Sequence, residues 1–153
     1  MYLRARADVD TARVGLWGGS YGGYLTAMGL STASNLFSCG VDIHGVHDWN
    51  NGIKNFIPSY NAEHMAAFSK KAFESSPVNF LDGWRSPVLL IHGDDDRNVN
   101  FNESVTLAES LRKRKVHVET LVFPDEIHGF LLHKSWVNAQ TATYGFFNKF
   151  YKQ

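Results

Sequence analysis

Residues 13–23 read Arg13-Val14-Gly15-Leu16-Trp17-Gly18-Gly19-Ser20-Tyr21-Gly22-Gly23, and this stretch decides the fold. Arg13–Gly18 is a short apolar run ending in glycines, the pattern of a strand that feeds a sharp turn. Tyr24 to about Ser34 then reads as a helix, with Ala27, Met28 and Leu30 as its packing residues. Between the two lies Gly18-x-Ser20-x-Gly22. A serine held on such a turn is strained, and its hydroxyl stands exposed at the carboxyl end of the strand. Side chains at 18 and 22 would crowd it, so glycine is expected at both. The following helix points its N-terminus at the site, where its dipole favours developing negative charge. A glycine-rich phosphate loop or a plain turn is the alternative. The strand–turn–helix context favours a nucleophilic serine.

Outward from this elbow, short apolar runs alternate with helical stretches. Phe37 to about Ile43 reads as a second buried strand. The segment from Asn50 to about Asn79 is polar and mixed, with a helix near Ala62–Phe73 and a turn at Ser76-Pro77. Pro87–Gly93 is a continuous apolar run, which suits a parallel strand covered on both faces. Asn102 to about Arg114 reads as an amphipathic helix packing through Val105, Leu107 and Leu111. His117–Phe123 is a fourth strand. Trp136–Tyr151 is a last helix, with Trp136, Ala139, Phe146 and Phe150 on one side. The alternation predicts an α/β fold: a mainly parallel sheet of about four strands flanked by helices. Sites in such sheets form beyond the carboxyl ends of the strands.

Composition narrows the function classes. At about 150 residues per domain, 153 residues read as one unit spanning 1–153. A hydrophobic share of 44% can supply a packed core. Fifteen Lys+Arg against 15 Asp+Glu leave no net charge, so a nucleic-acid partner is not expected. No apolar run reaches the roughly 18 residues of a membrane span, and the first residues hold no secretory core, so the expected location is the cytoplasm. Cys39 is the single cysteine, which excludes an internal disulfide and argues against a zinc–thiolate site. No metal or other cofactor is expected.

A serine nucleophile needs an oriented base. In the fold that carries this elbow the order is serine, acid, histidine. His92-Gly93-Asp94-Asp95-Asp96-Arg97-Asn98-Val99 follows the third strand, and Phe123-Pro124-Asp125-Glu126-Ile127-His128-Gly129-Phe130 follows the fourth. Both lie on the rim that carries Ser20. Ser20, an aspartate among 94–96 and His128 therefore form the candidate set, with Asp96 in the required order. The bland alternatives are a solvated acidic turn and a structural histidine. A calcium loop starting at Asp94 fails at Val99, where glycine is needed, and at Val105, where glutamate is needed. His44 and His47 are spaced like a metal pair but lack a third ligand, so they read as strand-end and loop polar residues.

These three segments, together with Val41-Asp42-Ile43-His44-Gly45-Val46-His47-Asp48-Trp49 and Ser76-Pro77-Val78, resemble the prolyl oligopeptidase family of serine peptidases, a branch of the α/β-hydrolases. The resemblance runs from about Asp8 to Tyr151. It implies Ser20 as nucleophile, Asp96 as orienting acid, His128 as base and the Tyr21 N–H as an oxyanion donor. It selects Asp96 over Asp94 and Asp95, and it places Val46, Trp49, Asn98 and Val99 beside the acyl-side pocket. It also implies a truncated α/β-hydrolase: the second half of the family's sheet, without the loop that brings a second oxyanion donor and without the propeller that sorts peptides.

Three functions are then open. The first expectation is a carboxylesterase acting on short-chain or activated esters through an acyl-enzyme. Losing one oxyanion donor costs about 10²–10³ in turnover, and esters tolerate this better than peptide bonds. The second is the catalytic fragment of a dipeptidyl or oligopeptidyl serine peptidase. The third is an inactive fragment or binding module that keeps the triad as a relic. An unpaired strand at Arg13–Gly18 would also be a template for another chain, so a homodimer or larger homo-oligomer is expected.

Overall fold

The computed structural model describes residues 2–151. Four strands form one sheet in the order β1-β2-β3-β4: Leu16–Gly19, Gly40–Ile43, Val88–Gly93 and Val118–Phe123. Every pairing is parallel, in registers that set Gly19 beside Ile43, Ile43 beside Ile91 and Gly93 beside Phe123. The helices are α1 (Tyr21–Thr32), α2 (Trp49–Phe56), α3 (Ala66–Glu74), α4 (Asn102–Lys113) and α5 (His133–Tyr151). The mainly parallel α/β sheet read from the sequence is the fold.

Alternation along the strands splits the core in two. Val88 and Leu90 face Ala27 and Leu30 of α1 and Leu107 and Leu111 of α4, with the buried Trp84 between them. Leu89 and Ile91 face the opposite way, with Val41 and Ile43, onto Ala139 and Phe146 of α5. Residues one apart on β3 thus feed opposite layers, as the period of two requires. This is why the run at 88–93 is apolar throughout: all six residues are buried. Val105, expected in the core, instead lies on the rim of α4 at 36% exposure.

Element boundaries shift for local reasons. β1 begins at Leu16 and β2 at Gly40, shorter than expected. Helix α1 begins at Tyr21 rather than Tyr24, because its first turn closes the elbow. Helix α2 lies inside the segment read as polar and mixed; Asp48 caps it by accepting from the Asn50 N–H at 2.9 Å. Pro77 opens a 3₁₀ turn, Pro77–Gly83; its Leu81 and the Trp84 that follows it fill the core under α1. Among the described residues β1 pairs on one side only, and Trp17 stands 53% exposed. No helix of the described residues is long and apolar enough to cross a membrane.

Candidate active site

Ser20 occupies the junction of β1 and α1 with φ 56° and ψ −116°, a strained conformation for a residue with a Cβ. Its N–H is held by the carbonyl of Ile43 at 2.9 Å, and its carbonyl accepts from the Tyr24 N–H at 3.0 Å. The strain is thus locked by the neighbouring strand and by the helix. Gly18 is required: a Cβ there would overlap the backbone of Gly22. Gly22 is not required in that way, contrary to the expectation from its spacing, since a Cβ on it would meet nothing within 4 Å. The tight position is Gly23, where a Cβ would fall 2.5 Å from the Asp42 carboxylate and 2.7 Å from the Gly45 Cα.

The loops after β3 and β4 bring the other two groups to Ser20. His128 Nε2 lies 2.8 Å from Ser20 Oγ, and His128 Nδ1 lies 2.6 Å from Asp96 Oδ2. Asp96 is buried, and its Oδ1 accepts from the Asn98 and Val99 N–H groups at 2.8 and 2.9 Å. His92 Nε2 approaches Oδ2 at 3.2 Å and the Val99 carbonyl at 3.0 Å. Burial acts to raise the Asp96 carboxyl, but the hydrogen bonds from His128, His92 and the two amides outweigh it and hold it well below the usual carboxylate range. Asp96 therefore stays ionised at neutral pH. Its neighbours face elsewhere: Asp94 accepts from the Asp125 N–H at 2.7 Å, and Asp95 pairs with Arg97 in solvent.

Asp94 thereby ties the two rim loops together, and a buried carboxylate fixes the second of them. Glu126 accepts from the N–H groups of Leu131 and Leu132 and from the Ser135 hydroxyl at 2.5 Å. The Ser135 bond leads in keeping its carboxyl low. His128 sits inside the turn that these bonds close. Nothing in the local sequence pattern singles out Glu126, because its partners lie in the turn before α5 and in that helix's first turn.

The remaining expected residues divide. The Tyr21 N–H is in the first turn of α1, where no intrahelical acceptor exists. Its side chain is 60% exposed and joins Trp49 and Tyr24 in an aromatic cluster, with ring centroids 5.2–6.2 Å apart. Val46 is buried against Gly52, and Val99 is buried beside Asp96. Asn98 is exposed on the Asp96 loop. Donor atoms of His44, Asp96 and His128 lie within 4.8 Å of one another. Both His128 nitrogens are engaged by Ser20 and Asp96, so a cation there would have to break that chain.

Two buried carboxylates hold the segment between β2 and α2. Asp42, 1% exposed, accepts from the Gly45 N–H at 2.9 Å and meets His47 Nε2 at 2.7 Å. Glu103 of α4 accepts from the N–H groups of His47 and Asp48 at 2.7 and 2.9 Å. His47 is thus a loop residue whose ring is buried against a carboxylate. Burial acts to lower its pKa, but the charge of Asp42 and then of Glu103 raises it overall. A raised folded value stabilises below the unfolded value, about 6.5, and that stability is lost as pH rises through the folded value. The melting temperature should accordingly fall as pH climbs above neutral. Asp42→Asn should cost about 3–5 kcal/mol, because it strands a buried charge, and should flatten that slope. Denaturant titrations across pH 6–9 check both; a wild-type slope of zero would remove the charged His47.

Comparison with known proteins places the chain among serine peptidases by sequence and by fold. The chain is 31% identical over 146 residues to dipeptidyl aminopeptidase BIII of Pseudoxanthomonas mexicana, covering 88% of this chain and 21% of that protein. It is 32% identical over 126 residues to dipeptidyl peptidase 4 of Sus scrofa, covering 79% of this chain and 16% of that protein. The chain therefore spans about a fifth or less of these relatives' length. The fold matches the uncomplexed acylaminoacyl peptidase of Pyrococcus horikoshii with a TM-score of 0.82 at 23% identity, covering 99% of this chain and 26% of that one. The sequence profile of the prolyl oligopeptidase family matches residues 1–153, and by that match the chain belongs to the prolyl oligopeptidase family.

Proposed function

We propose that this chain carries the acyl-transfer centre of a serine-type peptidase. The observation that carries the reading is the unbroken chain from Ser20 Oγ to His128 Nε2 at 2.8 Å and from His128 Nδ1 to Asp96 Oδ2 at 2.6 Å. Ser20 Oγ attacks the substrate carbonyl and passes its proton to His128 Nε2. The Asp96 carboxylate holds the imidazole in the tautomer that leaves Nε2 free, and stabilises the imidazolium once formed. The Tyr21 N–H, at the positive end of α1, donates to the oxyanion. His128 then gives the proton to the leaving amine. Water, deprotonated by the same imidazole, releases the acid.

The comparisons favour amide over ester substrates, in contrast to the first expectation from sequence. The relatives named above are dipeptidyl and acylaminoacyl peptidases. The exposed Tyr21 ring and the half-buried Trp49 ring offer an apolar wall for a side chain next to the scissile bond. A fluorophosphonate probe should label Ser20. Dipeptidyl nitroanilides should then be hydrolysed by the same chain. Ester turnover with no amide turnover would return the reading to a carboxylesterase. A chain that does not label would be an inactive relic.

A further inference from the structure

We propose that His44 is a positioning residue for this acyl transfer, its ring forming the floor that keeps the His128 imidazole in line between Ser20 and Asp96. The proposal rests on the reading of Ser20, His128 and Asp96 as the reacting centre. His44 follows the last residue of β2, next to the elbow strand in the sheet. Its φ is 43°, in the left-handed region that a residue with a Cβ adopts only where its surroundings enforce it. The enforcement is visible: its N–H is tied to the carbonyl of Ile91 at 2.8 Å.

The strained backbone delivers the ring to one place. Its centroid lies 4.2 Å from that of His128, with the planes tilted by 36°. Phe130 presents an edge at 5.4 Å and His92 another at 6.1 Å. A Cβ on Gly19 would lie 3.4 Å from His44 Nε2. The side chain is therefore boxed in, at 5% exposure, with its flat face against the reacting imidazole.

Hydrogen bonding does not explain the ring. Its Nδ1 is buried without a partner, which is a cost rather than a gain. Burial, and next the positive charge that His128 carries when protonated, push the His44 pKa down to about 4. The ring is then neutral whenever His128 works. A neutral π face attracts a cation placed over it. The face that restrains the neutral base therefore also suits the imidazolium that forms as Ser20 gives up its proton.

The test separates face from volume. His44→Phe keeps a flat π face; His44→Leu fills space without one. Both variants are first shown folded by thermal melting. In the Leu variant kcat should fall about 10–100-fold, the scale of a slightly misplaced reacting group, with KM nearly unchanged. The Phe variant should stay within about threefold of the wild type, because the ring attraction is retained. Independently of turnover, the proton shared by His128 Nδ1 and Asp96 should give a downfield proton NMR line that persists with Phe and broadens with Leu. Equal behaviour of Leu and Phe in both readouts would overturn the proposal, as would a Phe variant as impaired as Leu. A line kept with Phe and lost with Leu supports the proposal even in a chain without turnover, a result that would sink the acyl-transfer reading alone.

Discussion

Ser20→Ala should lower kcat on any substrate of this chain by about 10⁶, the scale at which a triad fails when its nucleophile is removed. The remaining groups cannot compensate. His128 Nε2 is 2.8 Å from the missing oxygen and would have no proton to take. The Tyr21 N–H and the substrate-binding surface would persist, so residual catalysis over water is expected, and KM should change little. Stability should move little in comparison. The backbone at 20 is strained whichever of the two residues occupies it, and the elbow is held by main-chain bonds to Ile43 and Tyr24 that alanine keeps. Single-turnover kinetics and denaturant titration of the two proteins check both halves. Turnover within tenfold of the wild type would mean that the reacting centre lies elsewhere. A large loss of stability would mean that the Ser20 hydroxyl, not the backbone, holds the elbow.

The legible parts of this protein are those whose partners are local or whose pattern is forced by the sheet. Val88–Gly93 reads as a buried parallel strand because both of its faces are covered. The elbow is legible because its glycines and the change from strand to helix fall within one short stretch. Helix α2 was hidden: Asn50, Asn51, Gly52 and Asn55 are poor helix formers, and the segment is helical because Asp48 caps it and tertiary contacts hold it. The tripled aspartate shows another limit. Asp94, Asp95 and Asp96 are alike in sequence, and only the turn that gives Asp96 the Asn98 and Val99 amides aims its carboxylate at His128. The buried ties were beyond local reading altogether. Glu103 reaches His47 and Asp48 from more than fifty residues away, and His44 meets His128 across the tops of three strands. Spacing reads His44 and His47 as no more than strand-end and loop polar residues, whereas the fold sends one ring to the reacting imidazole and the other to Asp42.

Asp96→Asn should lower kcat by about 10⁴, the known scale for turning the acid of a triad into its amide. The hydrogen-bond pattern explains why. Asp96 Oδ1 is committed to two N–H donors, those of Asn98 and Val99, so the oxygen of an asparagine would be retained there. Its NH2 would then stand where Oδ2 now accepts from His128 Nδ1 at 2.6 Å. Two donors cannot share that contact, so His128 would move its proton to Nε2. That nitrogen faces Ser20 Oγ and, once protonated, cannot take the serine proton. The same NH2 would also confront His92 Nε2, which has the Val99 carbonyl as its other acceptor, so the ring behind the acid would be disturbed as well. Substrate binding does not use the Asp96 carboxylate, and KM should hold. Asp95→Asn is the matched control. Its carboxylate pairs with Arg97 in solvent, where such pairs contribute about 0–1 kcal/mol, and its loss should leave kcat within about threefold. If Asp95→Asn cost more than Asp96→Asn, the acid would have been assigned to the wrong aspartate, and the 2.6 Å contact to His128 would need another role.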